Sequence, residues 1–224
     1  MDLKLTFKVN EKELRDLLEF EIDKMSKKLH EQIVRGLPLV IKKIRTLTRR
    51  AIKNGPMYRG LVFGDLAGHF GIPAEKVIET ANSIVEVIEN SIEINFAGTR
   101  SNSKKLLGQI TVVFFPRGFN KLVNAEFATV ITEKGEELNW LDWTLFRGDE
   151  TIIYDYNIYF EGGKGRSGLA IMVPSHNVAG SWKVPSKVSG TEDDNWITRS
   201  LDKIQKKYSD IIYTAISLAY SKIK

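Results

Sequence analysis

Residues 133–149 read EKGEELNWLDWTLFRGD, and the fold that we expect is built around this stretch. Its apolar positions predict a short amphipathic helix, with Glu136, Glu137 and Asp142 on the exposed side. Trp140 and Trp143 lie on this helix, and rings of that size usually pack inside a subunit or between subunits. The stretch therefore indicates a core anchor or a contact surface rather than an active site.

Downstream of this helix the sequence predicts short strands and turns. We expect strands at 151–155, 157–160 and 169–173, followed by a loop over 181–191 that contains Trp182. Thr191 is a suitable N-cap for a helix that runs close to residue 224 and contains Trp196. The four tryptophans, Trp140, Trp143, Trp182 and Trp196, are thus candidate core or subunit-interface anchors.

The sequence upstream predicts a strand followed by a long helix. Residues 2–9, DLKLTFKV, alternate between polar and apolar side chains, which is typical of a half-buried strand. Asn10 offers an N-cap, and apolar residues at helical spacing follow it. We expect Gly36 and Pro38 to kink or break this helix, which ends before Asn54-Gly55-Pro56.

Three glycines at every fourth position mark the segment that follows. On a helix, Gly60, Gly64 and Gly68 would form one smooth face for close packing, within the core or at a subunit interface. Another helix is predicted from Pro73-Ala74-Glu75. Strands at 91–98 and 109–116 come next, joined by the polar segment TRSNSKK as a hairpin or mobile loop.

These elements predict an α+β fold, with a central, mostly antiparallel sheet flanked by long N-terminal and C-terminal helices. We expect one structural unit in three parts: a basic helical arm over 1–57, an α+β core over 58–200 and a terminal helix over 201–224. No membrane span is expected, because no apolar run approaches about 18 residues, and no signal peptide is expected, because the N-terminus has no apolar core of the required length.

Positive charge is concentrated in the first 60 residues of the chain. They carry 15 Lys and Arg against 8 Asp and Glu, whereas the remaining 164 residues carry 18 against 20. The basic stripe on the predicted helix consists of Lys42, Lys43, Arg45, Arg49, Arg50 and Lys53. Such a stripe suits non-specific contact with DNA, contact with an acidic protein surface, or plain solvation. No motif for sequence-specific DNA recognition accompanies it.

Motifs for catalysis or cofactor binding are weak. The chain has no cysteine, and His30, His69 and His176 lack metal-ligand spacing. Residues 163–168 match GxGxxG, but a strand follows them where a dinucleotide site needs a helix, so we interpret them as a hairpin turn. A metal-dependent nuclease would have to use the charged residues Asp149, Glu150, Asp155, Glu161 and Lys164. We expect neither enzymatic activity nor a cofactor.

The stretch at residues 133–149, together with other segments, resembles a known family. EKGEELNWLDWTLFRGD, GRSGLAIM, WKVP and SGTEDDNWITRSL, together with LVFGDLAGHFGIPAEKV upstream, resemble the neck or tail-completion proteins of tailed bacteriophages. The resemblance covers residues 58–200. The chain departs from the family pattern at Ser186 and Lys187, in a loop that tends to be more acidic, and at Phe146-Arg147, where an acidic residue is common.

This resemblance implies a structural virion protein without enzymatic activity. Its copies would assemble into a homo-oligomeric ring between the portal and the tail, with other neck and tail proteins as partners and genomic DNA passing through the channel. Assembly would take place in the host cytoplasm, and no membrane would be involved. The alternatives are a non-specific DNA-binding protein that uses the basic stripe, and a nuclease at Asp155 and Glu161.

Overall fold

The structure is a computed structural model that describes residues 11–102, 105–115, 118–132, 135–160, 165–175 and 181–223. The helices in this part are α1 Glu11–Lys53, α2 Pro56–Phe63, α3 Leu66–His69, α4 Val77–Asn90, α5 Asn120–Val123, α6 Trp140–Phe146, α7 Trp196–Asp202 and α8 Gln205–Ser221. The strands are β1 Glu93–Asn102, β2 Lys105–Val113, β3 Thr129–Ile131, β4 Glu137–Asn139, β5 Thr151–Tyr154, β6 Tyr156–Tyr159, β7 Ile171–Pro174 and β8 Ser181–Lys183. Single 3₁₀ turns cover Ala74–Lys76 and Glu126–Ala128.

The expected mixture of helices and strands with a long N-terminal helix is confirmed, but a central sheet is not. In the described residues the strands form four two-stranded sheets, which pair β1 with β2, β3 with β4, β5 with β8, and β6 with β7. The last three pairs are antiparallel. The predicted N-terminal strand over 2–9 and the predicted helix cap Asn10 lie outside the described residues.

Helix α1 continues through Gly36 and Pro38, so of the predicted kink or break at these residues the break is wrong. A proline inside a helix removes one backbone donor, and here it leaves the carbonyl of Val34 without its partner. Pro38 and Val34 both lie on the exposed side of α1, where a carbonyl without a helical partner costs less free energy than in the core. The buried residues on the opposite face, Leu29, Ile33 and Val40, keep their helical spacing across the proline.

The chain divides into two compact units. The first contains the described residues of Met1–Lys43, Ile94–Val113 and Ser209–Lys224. Its core is small and consists of Leu29, Ile33 and Ala219, with Phe96 and Ile110 of the β1–β2 pair packed against them. His30 stacks on Phe96 with ring centroids 5.1 Å apart, which ties α1 to β1 inside this unit.

The second unit comprises Ile44–Glu93 and Phe114–Tyr208 and contains the larger core. Helix α4 supplies a continuous apolar face, and α6 and α7 supply two fully buried indoles, Trp140 and Trp196. The predicted helices after Pro73 and around Trp140 are confirmed, although α4 itself begins at Val77. Glu136 and Glu137, which we placed on the second of these, precede it: α6 begins after the cap Asn139, and Glu137 lies in β4.

The C-terminal helical region begins at a different residue from the one predicted. Asn195, not Thr191, caps the first helix: its side chain accepts hydrogen bonds from the backbone N–H groups of Ile197 and Thr198, and the hydroxyl of Thr198 accepts one from the N–H of Asn195. This reciprocal arrangement satisfies N–H groups that have no partner within the helix. The single predicted helix is divided into α7 and α8, which begins at Gln205.

Three predicted strand boundaries also need correction. Residues 181–183 form β8 rather than a loop, because they pair with β5. Strand β7 begins at Ile171 rather than at residue 169, because the N–H groups of Leu169 and Ala170 bond to the hydroxyl of Ser167. The polar segment 99–105 belongs largely to β1 and β2, which run to Asn102 and start at Lys105.

Candidate interaction surfaces

The basic stripe lies on α1, and two of its cations have partners within the second unit. Arg49 donates from Nε and Nη2 to one oxygen of Glu89 on α4, at 2.8 and 2.7 Å. The Glu89 side chain is 13% exposed, so this ion pair is shielded on its acidic side. Lys53 places its ammonium 5.2 Å from the ring centre of Tyr58. These two cations therefore support the fold of the second unit.

The other stripe residues differ in their exposure. In the second unit Arg50 is exposed, whereas Arg45 is half-buried and its Nε has no hydrogen-bond partner among the described residues. Lys42 and Lys43, in the first unit, are both exposed. The stripe thus presents fewer free cations than its sequence suggests, because part of its charge is already neutralised or shielded.

Each of the four tryptophans packs inside the second unit. Trp140 stacks on Phe70 at 4.9 Å and donates its indole N–H to the carbonyl of Phe127. Trp196 donates to the hydroxyl of Thr144 at 3.4 Å. Trp143 is half-buried and meets the ring of Trp182 edge-on at 6.0 Å. These contacts place the tryptophans in the core rather than on a free surface.

Trp182 forms a hydrogen bond with a histidine in this core. Its indole N–H donates to Nδ1 of His69 at 2.9 Å, and His69 also meets Phe160 edge-on. Nδ1 accepts a hydrogen bond only when it carries no proton, so the neutral ring holds its proton on Nε2. Burial lowers the pKa of His69 below its usual range, and the nearby carboxylate of Asp65 opposes that shift. The pairing of His69 with Trp182 had no signal in the sequence, because the residues are far apart in the chain.

The three glycines do not form one smooth helical face, so that expectation is wrong. Gly60 lies in α2, Gly64 ends that helix, and Gly68 lies in α3. Each is packed tightly inside the chain: a Cβ would meet Leu66 at Gly60, the backbone of Gly60 at Gly64, and Phe160 and Ala170 at Gly68. The close approach that these glycines allow is therefore internal to the second unit.

The described part of the GxGxxG match forms a hairpin turn, as predicted. Gly165 accepts a hydrogen bond from the N–H of Gly168 at 2.8 Å, and Ser167 is buried beneath the turn. The carbonyl of Ser167 accepts from Ala74, and Arg166 donates to the carbonyl of Gly71. The turn therefore holds the segment that precedes α4. Gly163 and Lys164 lie outside the described residues.

The candidate nuclease residues are not assembled into a site in the described part of the chain. Asp155 is exposed, and its carbonyl accepts a hydrogen bond from the N–H of Ser175 at a left-handed turn. Glu150 lies 3.8 Å from Arg147, which also pairs with Asp142. Across the described ranges no three His, Asp or Glu residues are grouped so that they could hold a metal ion. Glu161, Lys164 and His176 lie outside those ranges.

Large apolar side chains are exposed on the antiparallel pair β6–β7 and the end of β5, which we name the β6–β7 ribbon. Tyr154 is 67% exposed, and its exposed neighbours in the ribbon are Tyr156, Tyr159, Phe160, Met172 and Val173. Between residues 151 and 160 the only charged residue is Asp155. Clusters of exposed apolar side chains of this kind are typical of surfaces that bind other chains.

A groove of about 780 Å³ lies between α4 and the β3–β4 pair, and we name it the α4–β3 groove. Glu79, Thr80 and Ser83 line it from one face of the helix. The sheet contributes the opposite pairs Thr129–Asn139 and Ile131–Glu137, whose side chains lie on the face away from buried Val130. Local patterns in the chain do not indicate this groove, since its two walls are about 50 residues apart.

Comparisons with known proteins identify no relative of this chain. No family model matches it, and neither a curated protein nor a solved structure matches it. Among the described residues, no helix is both long and apolar enough to span a membrane.

Proposed function

We propose that this chain is a structural protein of the neck of a tailed bacteriophage, where a homo-oligomeric ring of copies joins the portal to the tail around the DNA channel. The observation that carries the proposal is the β6–β7 ribbon. Its exposed tyrosines and aliphatic side chains have the composition of protein–protein contact surfaces, in which aromatic residues are enriched and charge is depleted. The resemblance over residues 58–200 supplies the family.

The internal packing of the tryptophans and glycines shifts the proposed subunit contacts to other residues. Trp140 and Trp196 are fully buried and Trp182 nearly so, hence they stabilise the subunit rather than join two subunits. The ribbon remains available for a neighbouring copy or a tail protein. A role without enzymatic activity, in the virion neck and in the host cytoplasm during assembly, is part of the same proposal.

The exposed cations of the basic stripe fit this role in one of two ways. Lys43 and Arg50 are exposed on α1, and cations that face a channel attract the phosphate backbone without recognising bases. The same cations could face an acidic portal or tail surface. Both arrangements depend only on electrostatic attraction between these cations and a negatively charged partner.

Light scattering and negative-stain electron microscopy of the purified chain, alone and mixed with a portal protein encoded by the same genome, test the proposal. We expect ring-shaped particles in at least one of these samples. Tyr159→Lys on the ribbon should abolish them, because a buried charge without a partner destabilises an interface. Phe63→Lys, at an 80% exposed position outside the ribbon, is the matched control. Monomers in every sample, with and without portal, contradict the proposal.

The second candidate is a non-specific DNA-binding protein, favoured by the exposure of Lys43 and Arg50. Binding of the free chain to duplex DNA across a salt series distinguishes the two. A DNA-binding protein should lose affinity steeply with salt, with a slope of about −0.9 for each phosphate contacted. Lys43→Glu with Arg50→Glu should flatten that slope, and Lys187→Glu should not. The same samples with Mg²⁺ test the nuclease alternative by DNA cleavage.

A further inference from the structure

The first part of α1 carries apolar side chains that its own subunit leaves uncovered, and we name residues 15–25 the α1 arm. Leu17 is 59% exposed, Leu18 53% and Phe20 64%. The first buried side chain that follows them on α1 is that of Ser26. Because a short helical segment without tertiary contacts is only marginally stable in water, this apolar surface indicates a partner that covers the arm.

Helix α8 has two apolar faces, and the first of them packs inside the subunit through Ala219, in the core of the first unit. Tyr213, Ile216 and Tyr220 follow one another at intervals of three and four residues, so they share a second face, which we name the α8 face. Their exposed fractions are 74%, 37% and 39%. The α8 face is therefore open to a further helix.

The charges of the two helices are complementary. The α1 arm contains four acidic and two basic residues, whereas residues 203–224 contain five lysines and one aspartate. Pairing two arms, or two α8 segments, would bring like charges together, whereas an arm and an α8 segment attract each other. Helices that bind lipid surfaces carry an excess of lysine and arginine, and the arm has the opposite excess. Charge therefore favours α8 of a second copy as the partner of the arm.

We propose that the α1 arm of one copy packs on the α8 face of the next copy. This inference rests on the proposed ring, because a contact between two different surfaces of the same chain joins copies head to tail and closes when the rotation allows. The contact lies in the first unit, whose own core has only three fully packed apolar residues among those described, Leu29, Ile33 and Ala219. Covering the arm adds apolar burial to a unit that is otherwise poorly supplied with it.

The absence of cysteine in the chain permits a direct test with disulfides between copies. Copies with Glu21→Cys or Lys24→Cys on the arm, each with a fusion tag that changes their size, are mixed with untagged Ser209→Cys or Ser217→Cys copies. Oxidation is carried out with and without portal protein. Two positions on each helix allow for the register, since a disulfide needs Cβ atoms about 4 Å apart. Glu19→Cys, exposed and on the other side of α1 from Glu21, is the matched control.

We expect at least one pair to give a mixed product of tagged and untagged chains about tenfold more abundant than the same α8 variant gives with Glu19→Cys, because docking raises the effective concentration. Equal products with Glu19→Cys overturn the inference, and so does the absence of a mixed product from all pairs. A product of two Glu21→Cys copies that replaces the mixed one means that α1 pairs with α1, and it also overturns the inference.

Tyr213→Glu tests the α8 face by charge. The side chain is 74% exposed, so the subunit should still fold, as far-UV circular dichroism checks. A carboxylate on this face opposes the acidic arm, hence the mixed product should decrease about tenfold. Thr214→Glu places the same charge on another, exposed side of α8 and should leave the mixed product unchanged. Equal losses in the two variants contradict the assignment of the α8 face.

The ring and the helix contact can fail separately. Ring particles without the mixed product contradict the helix contact and leave the neck proposal standing. A mixed product without rings, in the presence and absence of portal, supports the helix contact and contradicts the neck proposal.

Discussion

Trp182 donates its indole N–H to Nδ1 of His69, and this bond joins β8 to α3 in the core of the second unit. The bond exists only while His69 is neutral, since a proton on Nδ1 leaves no acceptor for the indole. Burial of His69 acts in the same direction, because it lowers the pKa of the ring. Folding stability is therefore linked to the protonation of this one side chain.

We expect the chain to lose stability below about pH 6.5, the ordinary pKa of histidine. The folded state has the lower pKa, so the unfolded state binds more protons between the two values. Stability is complete above the unfolded pKa and decreases as the pH falls towards the folded one. Urea unfolding at pH values from 8 to 5, monitored by tryptophan fluorescence, measures this change in the free energy of unfolding.

His69→Gln is the control for this prediction, because an amide oxygen can accept from Trp182 and does not titrate. Between pH 7 and pH 5 the variant should lose less free energy of unfolding than the native chain. An unchanged pH profile in His69→Gln means that other groups determine the pH dependence.

The ion pair between Arg49 and Glu89 should couple α1 to α4 measurably. Glu89 is largely shielded, so removing the arginine costs more free energy than it would beside an exposed carboxylate. A double-mutant cycle of Arg49→Ala and Glu89→Ala, measured by urea unfolding, should give a coupling of about 1 kcal/mol. The same cycle with Lys43→Ala in place of Arg49→Ala should give a coupling near zero, and equal values in the two cycles would refute the pairing.

Asn195 should contribute more to stability than Thr191, the cap predicted from sequence. The Asn195 side chain accepts from two backbone N–H groups and donates to the carbonyls of Thr191 and Glu192, in a site without solvent exposure. Asn195→Ala should cost about 2–3 kcal/mol, since it removes the cap and leaves buried groups unpaired. Thermal unfolding of Asn195→Ala and Thr191→Ala compares the two positions.

Thr191→Ala removes one hydrogen bond, from the N–H of Asp194 to an exposed hydroxyl. Its cost should be about 0.5 kcal/mol. If Thr191→Ala proves the more destabilising variant, Asn195 is not the main cap of α7.

The elements that could be predicted from sequence are those with local causes. Helix α4 and the helix around Trp140 follow from apolar spacing and turn residues that lie within the same segment. The pairing of β5 with β8 could not be predicted, because the strands are about 30 residues apart and short strands carry little register information. The ion pair of Arg49 with Glu89 and the α4–β3 groove likewise depend on contacts between distant segments. Asn195-x-x-Thr198 did carry a local capping signal, but Thr191 offered a competing one.

The free energy of unfolding should respond in opposite directions to two glycine substitutions. A Cβ at Gly68 would lie 2.8 Å from the ring of Phe160 and 3.2 Å from Cβ of Ala170, in the packed core of the second unit. Gly68→Ala should therefore destabilise the chain by about 1–3 kcal/mol, the usual cost of overpacking. A Cβ at Gly36 in α1 meets nothing within 4 Å. Gly36→Ala should stabilise α1 by up to about 1 kcal/mol, because alanine loses less backbone entropy in a helix.

Thermal unfolding with circular dichroism at 222 nm measures both glycine variants under the same conditions. Gly68→Ala should lower the melting temperature, and Gly36→Ala should raise it or extend the helical signal to higher temperature. Neutral behaviour of Gly68→Ala means that Phe160, which is partly exposed, moves away without cost. A loss of stability in Gly36→Ala means that the helix at Gly36 needs a backbone conformation that alanine resists, so the continuity of α1 through Pro38 depends on that glycine.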